Sequence, residues 1–299
     1  MSWIVGRDSV QKIGYLADLF FDSRKFHAER IFSKKFETYH SWMASRDLTS
    51  VFVSLDRSSY QSDGIFQFEE DRLENFSNTL AKVESFLLFK EAIDGLEIFK
   101  TIHEQVPNAK MKFVEAWSLI EKNCHWIFSV GQKVVREVYP VRIRGGQYIG
   151  AGGATNHHLI GALFLSLRPA PSEEVKLAIS FAHEIGHTVL MIMQQGDAII
   201  LEHPDVTVYS PVRRCHRPLI MSLHAAVAAG YMVECAFDLS KSSDLNAEER
   251  DYCVAFISEQ IFHLKQTLND MRRFKFTEVG QKILHDLVRI TKIHSSQCI

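Results

Sequence analysis

Glu173-Glu174-Val175-Lys176-Leu177-Ala178-Ile179-Ser180-Phe181-Ala182-His183-Glu184-Ile185-Gly186-His187-Thr188-Val189-Leu190-Met191-Ile192-Met193 decides the fold of this chain. Pro169-Ala170-Pro171-Ser172 stops what precedes it, and Ser172 suits an N-cap. Glu173 and Glu174 favour the positive end of a helix dipole. The pattern predicts a helix running to about Gln195, with Gly196 as its C-terminal stop. From Leu177 to Met193 the helix is strongly apolar, which makes it a core helix. His183, Glu184 and His187 are titratable groups that such a core tolerates only with partners.

Four residues separate His183 from His187, so both side chains leave one helix face. Two imidazoles on one face can share a divalent ion. Glu184 follows His183, roughly 100° further around the helix. In zinc hydrolases of this pattern that glutamate sits beside the metal-bound water. The longer peptidase pattern HExxHxxGxxH fails, because Leu190 and Met193 occupy its glycine and histidine positions.

Upstream of this helix, Lys133 to Ile143 reads as a strand whose Pro140 argues for an edge position. Gly145-Gly146 marks a turn, and the glycines at 150, 152 and 153 suit turns and bulges. Leu159 to Leu167 reads as a buried strand. Earlier still the chain is mostly helical. Apolar residues at Leu73, Phe76, Leu80, Val83 and Leu87 give one face of a helix from Glu69 to about His103. A break at Pro107-Asn108 precedes a helical run through Phe113, Trp117 and Ile120. Residues 9 to 45 also read as helix, and 49 to 66 as a short strand and loop.

Downstream, residues 197 to 218 read as a loop and Leu219 to about Leu239 as an almost wholly apolar helix. Two further helices, near 246 to 270 and 277 to 293, close the chain. The expected class is α+β: predominantly helical, with a small sheet packed beside a central metal-binding helix pair. Residues 1–130 form a helical region, a candidate substrate cap. Residues 131–299 form the catalytic metal-binding region, the two making one continuous globular unit.

The chain has 299 residues, 46% hydrophobic and 23% charged, with a formal net charge of −2. That balance gives no reason to expect nucleic acid or an anionic membrane as partner. Charges at Arg7 and Asp8 arrive before any apolar core of signal-peptide length. The apolar run closest to transmembrane length, Leu219 to Phe237, carries His224 and Glu234. The expected location is the cytoplasm. The five cysteines show no zinc-ribbon or redox spacing and read as reduced thiols without a shared task.

A metal on His183 and His187 needs a third ligand. Candidates are Glu202, His203, Asp205, His216, His224 and Glu234. His203-Pro204-Asp205 has the His-x-Asp spacing of a facial iron triad but lies in a polar loop. His224 and Glu234 are the strongly polar side chains of the apolar run 219–237, about 80° out of alignment, so one of them at most points at the metal. His224 is favoured.

Tyr209-Ser210-Pro211-Val212-Arg213, then Arg217-Pro218-Leu219, then Leu223-His224 follow the metal helix. This block resembles the Y-x-P-x-R…R-P-L-x-x-x-L-H pattern of the HExxH-type Fe(II)/2-oxoglutarate-dependent peptide β-hydroxylases. Those enzymes belong to biosynthetic clusters for ribosomally made, modified peptides. The resemblance covers roughly residues 130 to 240. It implies Fe(II) held by His183, His187 and His224, with 2-oxoglutarate as co-substrate. Arg213 or Arg217 would bind the distal carboxylate of 2-oxoglutarate in bidentate fashion. Tyr209 would line the pocket, and Glu184 would orient a ligand or water. The implied activity is O2-dependent hydroxylation, desaturation or cyclisation at an unactivated carbon of a peptide, amino acid or carrier-bound substrate. Two departures stand out. Val212 occupies a position where the family often has Trp. Ile185-Gly186 between the histidines, as in many peptidases, keeps a zinc peptidase or amidase as the alternative, with Glu184 as general base.

Overall fold

A computed structural model describes residues 4, 6–31, 66, 96–98, 109–143, 153–155, 160–166 and 173–295. The described chain is mostly helical with a small sheet. In chain order its elements are α1 (Arg7–Ile31), β1 (Leu96–Ile98), α2 (Ala109–Asn123), α3 (His125–Val134), β2 (Glu137–Ile143), β3 (Gly153–Ala154), β4 (Ala162–Ser166), α4 (Glu173–Met193), β5 (Thr207–Ser210), β6 (Cys215–Pro218), α5 (Leu219–Ser240), α6 (Ala247–Met271) and α7 (Glu278–Ser295).

The helix quoted first, α4, is the centre of the molecule. One side meets α2: the Phe181 ring lies 5.9 Å from Phe113 and 5.3 Å from Trp117. Its opposite side meets α5. Gly186 makes that approach possible, because an added Cβ would stand 2.9 Å from Ala228 Cα. Helix α5 is itself buried on nearly every side, from Leu219 to Leu239. By length and hydropathy alone α4 and α5 could each cross a membrane, but 78% of each apolar window is buried within this fold. Both therefore serve as core helices, for which burial of each large aliphatic side chain contributes about 1.5–3 kcal/mol.

The rest of α5 is held by α6, by α7 and by the N-terminal segment. The Tyr231 hydroxyl donates to Ile4 O at 2.6 Å, and Ile4 N donates to Asp286 Oδ2 at 3.0 Å. Helix α6 begins with a capping box: Glu249 N donates to Asn246 Oδ1, and Asn246 N donates to Glu249 Oε2.

The four-stranded sheet has the order β1-β2-β4-β3. Strands β2 and β4 are parallel, and the outer pairs are antiparallel. All five residues of β4 are buried, the mark of an inner strand. This sheet lies beside α4. A two-stranded hairpin, β5-β6, sits on the other flank against α5 and α6.

Several expectations need correction. The strand read from Lys133 starts at Glu137, because α3 carries on to Val134. It is an inner strand, not an edge. Pro140 is tolerated because β1 pairs only with residues 141–143 on one side, while β4 pairs with residues 137–141 on the other. Leu96–Ile98 is strand where a helix was read; the last apolar position of the helical pattern is Leu87, and Leu96-Glu97-Ile98 alternates with period two. The rest of the 69–103 helix lies outside the described residues, as do Ser172 and most of 49–66. The loop read over 197–218 contains the β5-β6 hairpin. Its turn carries no glycine or asparagine signal: Arg214 takes the left-handed conformation with φ +56°.

Candidate functional site

Helices α4 and α5 bring three imidazoles into a row. His183 Nε2 lies 3.0 Å from His187 Nε2, and His187 Nδ1 lies 3.5 Å from His224 Nδ1. The row ends on two neutral acceptors. His183 Nδ1 faces Met232 Sδ at 2.8 Å, and His224 Nε2 faces Gln194 Oε1 at 2.8 Å. Helical spacing explains part of this arrangement. Gln194 follows His187 by seven residues, which continues the same helical stripe one residue past the end of α4.

Glu184 points elsewhere, toward the sheet. It is 1% exposed, and Thr155 supplies it a hydrogen bond. Its Oε1 lies where Gly153 leaves room: a Cβ there would stand 2.8 Å away. The same oxygen is 3.9 Å from His183 Nε2. The other oxygen, Oε2, is buried with no hydrogen-bond partner among the described residues.

Burial pushes the Glu184 carboxyl up to about 8, opposed by the Thr155 hydrogen bond and by Arg213. His183 is pushed down to about 4, by burial first and by Arg213 second. His187 is also held well below its ordinary range, by burial, by the neighbouring imidazoles, and by Arg213 and Arg217. Both imidazoles of the pair are thus neutral at pH 7, the state in which a ring nitrogen can bind a cation. Arg213 is exposed in the hairpin turn, and Arg217 is half-buried on β6. The charges of both reach the histidine row.

The 3.0 Å between the two Nε2 atoms equals the separation of two donors about 2.1 Å from one ion at right angles, the octahedral angle, whereas a tetrahedral ion would separate them by about 3.4 Å. The third imidazole adjoins the pair but faces the far nitrogen of His187. Among the described residues, no three His, Cys, Asp or Glu side chains close on one point as a complete metal cage.

The other candidate ligands are engaged away from the row. Glu234 Oε1 accepts from His294 Nε2 at 2.8 Å on α7. Glu202 Oε1 accepts from Lys275 N at 2.8 Å. His203 and Asp205 face each other at 3.3 Å, largely exposed. His216 lies 3.9 Å from Asp270. The Tyr209 hydroxyl bonds His263 Nδ1 on α6 at 2.7 Å, and Tyr209 N donates to Asp270 Oδ2. Tyr209 thus anchors the hairpin to α6.

Sequence reasoning missed Gln194, Met232, Thr155 and the role of Gly153. The stripe His183, His187, Gln194 was a readable signal for the first. The other three depend on contacts between elements distant in sequence. No protein-family model and no curated protein matches this chain.

Proposed function

We propose that the chain is a non-heme Fe(II)- and 2-oxoglutarate-dependent oxygenase of a biosynthetic pathway. Its substrate would be a peptide, amino acid or carrier-bound unit, hydroxylated, desaturated or cyclised at an unactivated carbon. The observation that carries this reading is the company His224 keeps. Of the six side chains able to complete a set with His183 and His187, it is the one beside them, while Glu234 is engaged by His294.

Fe(II) with 2-oxoglutarate would supply O2 activation at this site. The protein's part is binding and orientation. His183 and His187 offer neutral nitrogens from one face of α4, and His224 adds a third imidazole from α5. Arg213 and Arg217, on the flank of the row, offer guanidinium forks of the kind that grip a carboxylate. Glu184, tethered by Thr155 and packed against Gly153, orients what binds beside His183. The Gly186 feature that favoured a peptidase has a packing reason instead, since the α4–α5 contact needs it. The location proposed is cytoplasmic, with no nucleic-acid or membrane partner.

A zinc peptidase or amidase is the second reading. It is favoured by the buried Glu184 carboxyl, whose Oε1 lies 3.9 Å from His183 Nε2 and whose Oε2 has no hydrogen-bond partner among the described residues, as a group that could hold a hydrolytic water. Metal analysis of anaerobically purified protein separates the two, followed by Fe(II) and 2-oxoglutarate titration. The oxygenase shows a charge-transfer band and 2-oxoglutarate-dependent O2 consumption, both lost in His224→Ala. Bound zinc, peptide cleavage and no such band would sink the oxygenase.

A further inference from the structure

We propose that Gln194 is a positioning residue that fixes the tautomer of His224, so that Nδ1 is the nitrogen this ring presents to the His183–His187 pair. The inference rests in part on the metal-site reading above, but the tautomer itself does not.

A neutral imidazole carries one N–H and one lone pair, and its neighbours decide which nitrogen has which. Gln194 turns its carbonyl oxygen to His224 Nε2 at 2.8 Å. A carbonyl oxygen accepts only, so the hydrogen resides on Nε2 and the lone pair on Nδ1. That nitrogen faces the His187 ring at 3.5 Å. At the other end of the row the same logic gives the opposite outcome. Met232 Sδ, an acceptor without a proton, faces His183 Nδ1 at 2.8 Å. The hydrogen of His183 then resides on Nδ1, and its Nε2 lone pair faces the Nε2 of His187. The lone pairs at the two ends of the row therefore sit on different ring nitrogens: Nε2 on His183 and Nδ1 on His224.

The geometry has a structural origin. His183 and His187 lie one turn apart on one helix, so they present equivalent atoms to a shared point. His224 approaches from a second helix. Gln194, two turns beyond His187 and one residue past the C-terminal end of α4, reaches its far side. Gln194 is half-buried near the C-terminal end of α4 and can be replaced without opening the core.

The test uses the full chain, free of metal and labelled with 15N at histidine, at mildly alkaline pH. Correlation of ring nitrogens with ring carbon-bound protons assigns each tautomer. His224 is expected as the Nε2–H form and His183 as the Nδ1–H form. In Gln194→Leu the two His224 nitrogens should move toward a common average, with His183 unchanged. Gln194→Glu, which keeps an acceptor oxygen, should hold the wild-type tautomer. A His224 ring protonated on Nδ1, or one unaffected in Gln194→Leu, overturns the proposal. Co(II) titration of the same samples separates this from the metal reading. Loss of the lock should weaken Co(II) by about tenfold or more, as loss of an outer partner of a ligating histidine does, while Gln194→Glu stays at or above wild-type affinity. The expected tautomers without Co(II) uptake would leave the lock standing and remove the metal site. Wild-type Co(II) affinity in Gln194→Leu would refute a positioning role.

Discussion

Replacing Gly186 by Ala should destabilise the chain although it improves the helix. In an exposed helix interior the change stabilises by about 1 kcal/mol. Here the new Cβ would stand 2.9 Å from Ala228 Cα, 3.2 Å from Tyr231 Cδ2 and 3.3 Å from Ala228 N. Two of those atoms are backbone of α5, which no rotamer change can move. Overpacking of this kind costs about 1–3 kcal/mol, and an unyielding neighbour places it near the top. The net loss is about 2 kcal/mol, or a fall in Tm of about 4 °C for a chain of this size. Gly230→Ala is the internal control. Its Cβ would meet Leu287 Cδ2 at 2.9 Å and Ile290 Cδ1 at 3.2 Å, both ends of flexible side chains. The same propensity gain then offsets a smaller clash, and stability should stay within about 1 kcal/mol of wild type. Urea denaturation by circular dichroism and tryptophan fluorescence measures both variants. If Gly186→Ala equals wild type while Gly230→Ala falls, the close α4–α5 contact is wrong. The site would then lose its geometric basis, because this contact sets the His187–His224 spacing.

Three further outcomes are expected. Burial, with Glu234 nearby, pushes the Asp238 carboxyl up to about 6 from 3.8, so the folded chain holds that proton more tightly than the unfolded one. Stability from this group is present below about pH 4 and is lost as pH rises through about 6, by about 1 kcal/mol once its partial exposure is allowed for. Asp238→Asn should remove that decline, and urea midpoints across the range would detect a variant that still follows wild type. In a Cys298→Ser background, a thiol reagent should label Cys215 quickly in the folded chain. Cys124, Cys235 and Cys253, all buried, should react only on unfolding; fast labelling of a second thiol would contradict the packing around α5. Finally, Glu234→Gln should keep Co(II) affinity within about threefold, whereas His224→Ala should lose more than about tenfold. The reverse order would return Glu234 to the metal and favour the zinc reading.

The helical part of this fold was legible because its signals are local. Helix α4 announces itself by proline before, glutamates at its start and an apolar run, and α5 by composition alone. Helices α6 and α7 fall within two residues of their expected limits. The sheet was less legible. Strand β4 stood out as an apolar run, but the inner place of β2 depends on pairing with β1 and β4, which one strand's sequence does not encode. The β5-β6 hairpin was hidden because Cys215-His216-Arg217-Pro218 lacks alternation and Arg214 replaces the usual turn glycine. In the candidate site, spacing along α4 put His183 and His187 on one face, isolation in an apolar helix singled out His224, and the three imidazoles do adjoin. The orientation of Tyr209 toward α6 was not readable, since His263 and Asp270 lie more than fifty residues away.

The pentapeptide His183-Glu184-Ile185-Gly186-His187 performs two tasks, and separating them sharpens its chemistry. Ile185 and Gly186 answer to packing: Ile185 is fully buried near Gly131, and Gly186 seats Ala228. They carry no information about mechanism, so their likeness to peptidases loses its weight. The two histidines offer imidazole nitrogens, a donor type that zinc and iron both take. Discrimination falls to residues outside the motif. An acidic third ligand would reduce the charge of the ion and fit a hydrolase; Glu234 is committed to His294 instead. A third imidazole would leave the full charge of a bound ion in place, and the two arginines, whose charges reach His187, would add to the positive field around it. Such a site would attract an anionic, chelating co-substrate more strongly than a neutral amide. The proposed oxygenase, taking up a dicarboxylate, therefore rests on the electrostatic balance around the row more than on the motif.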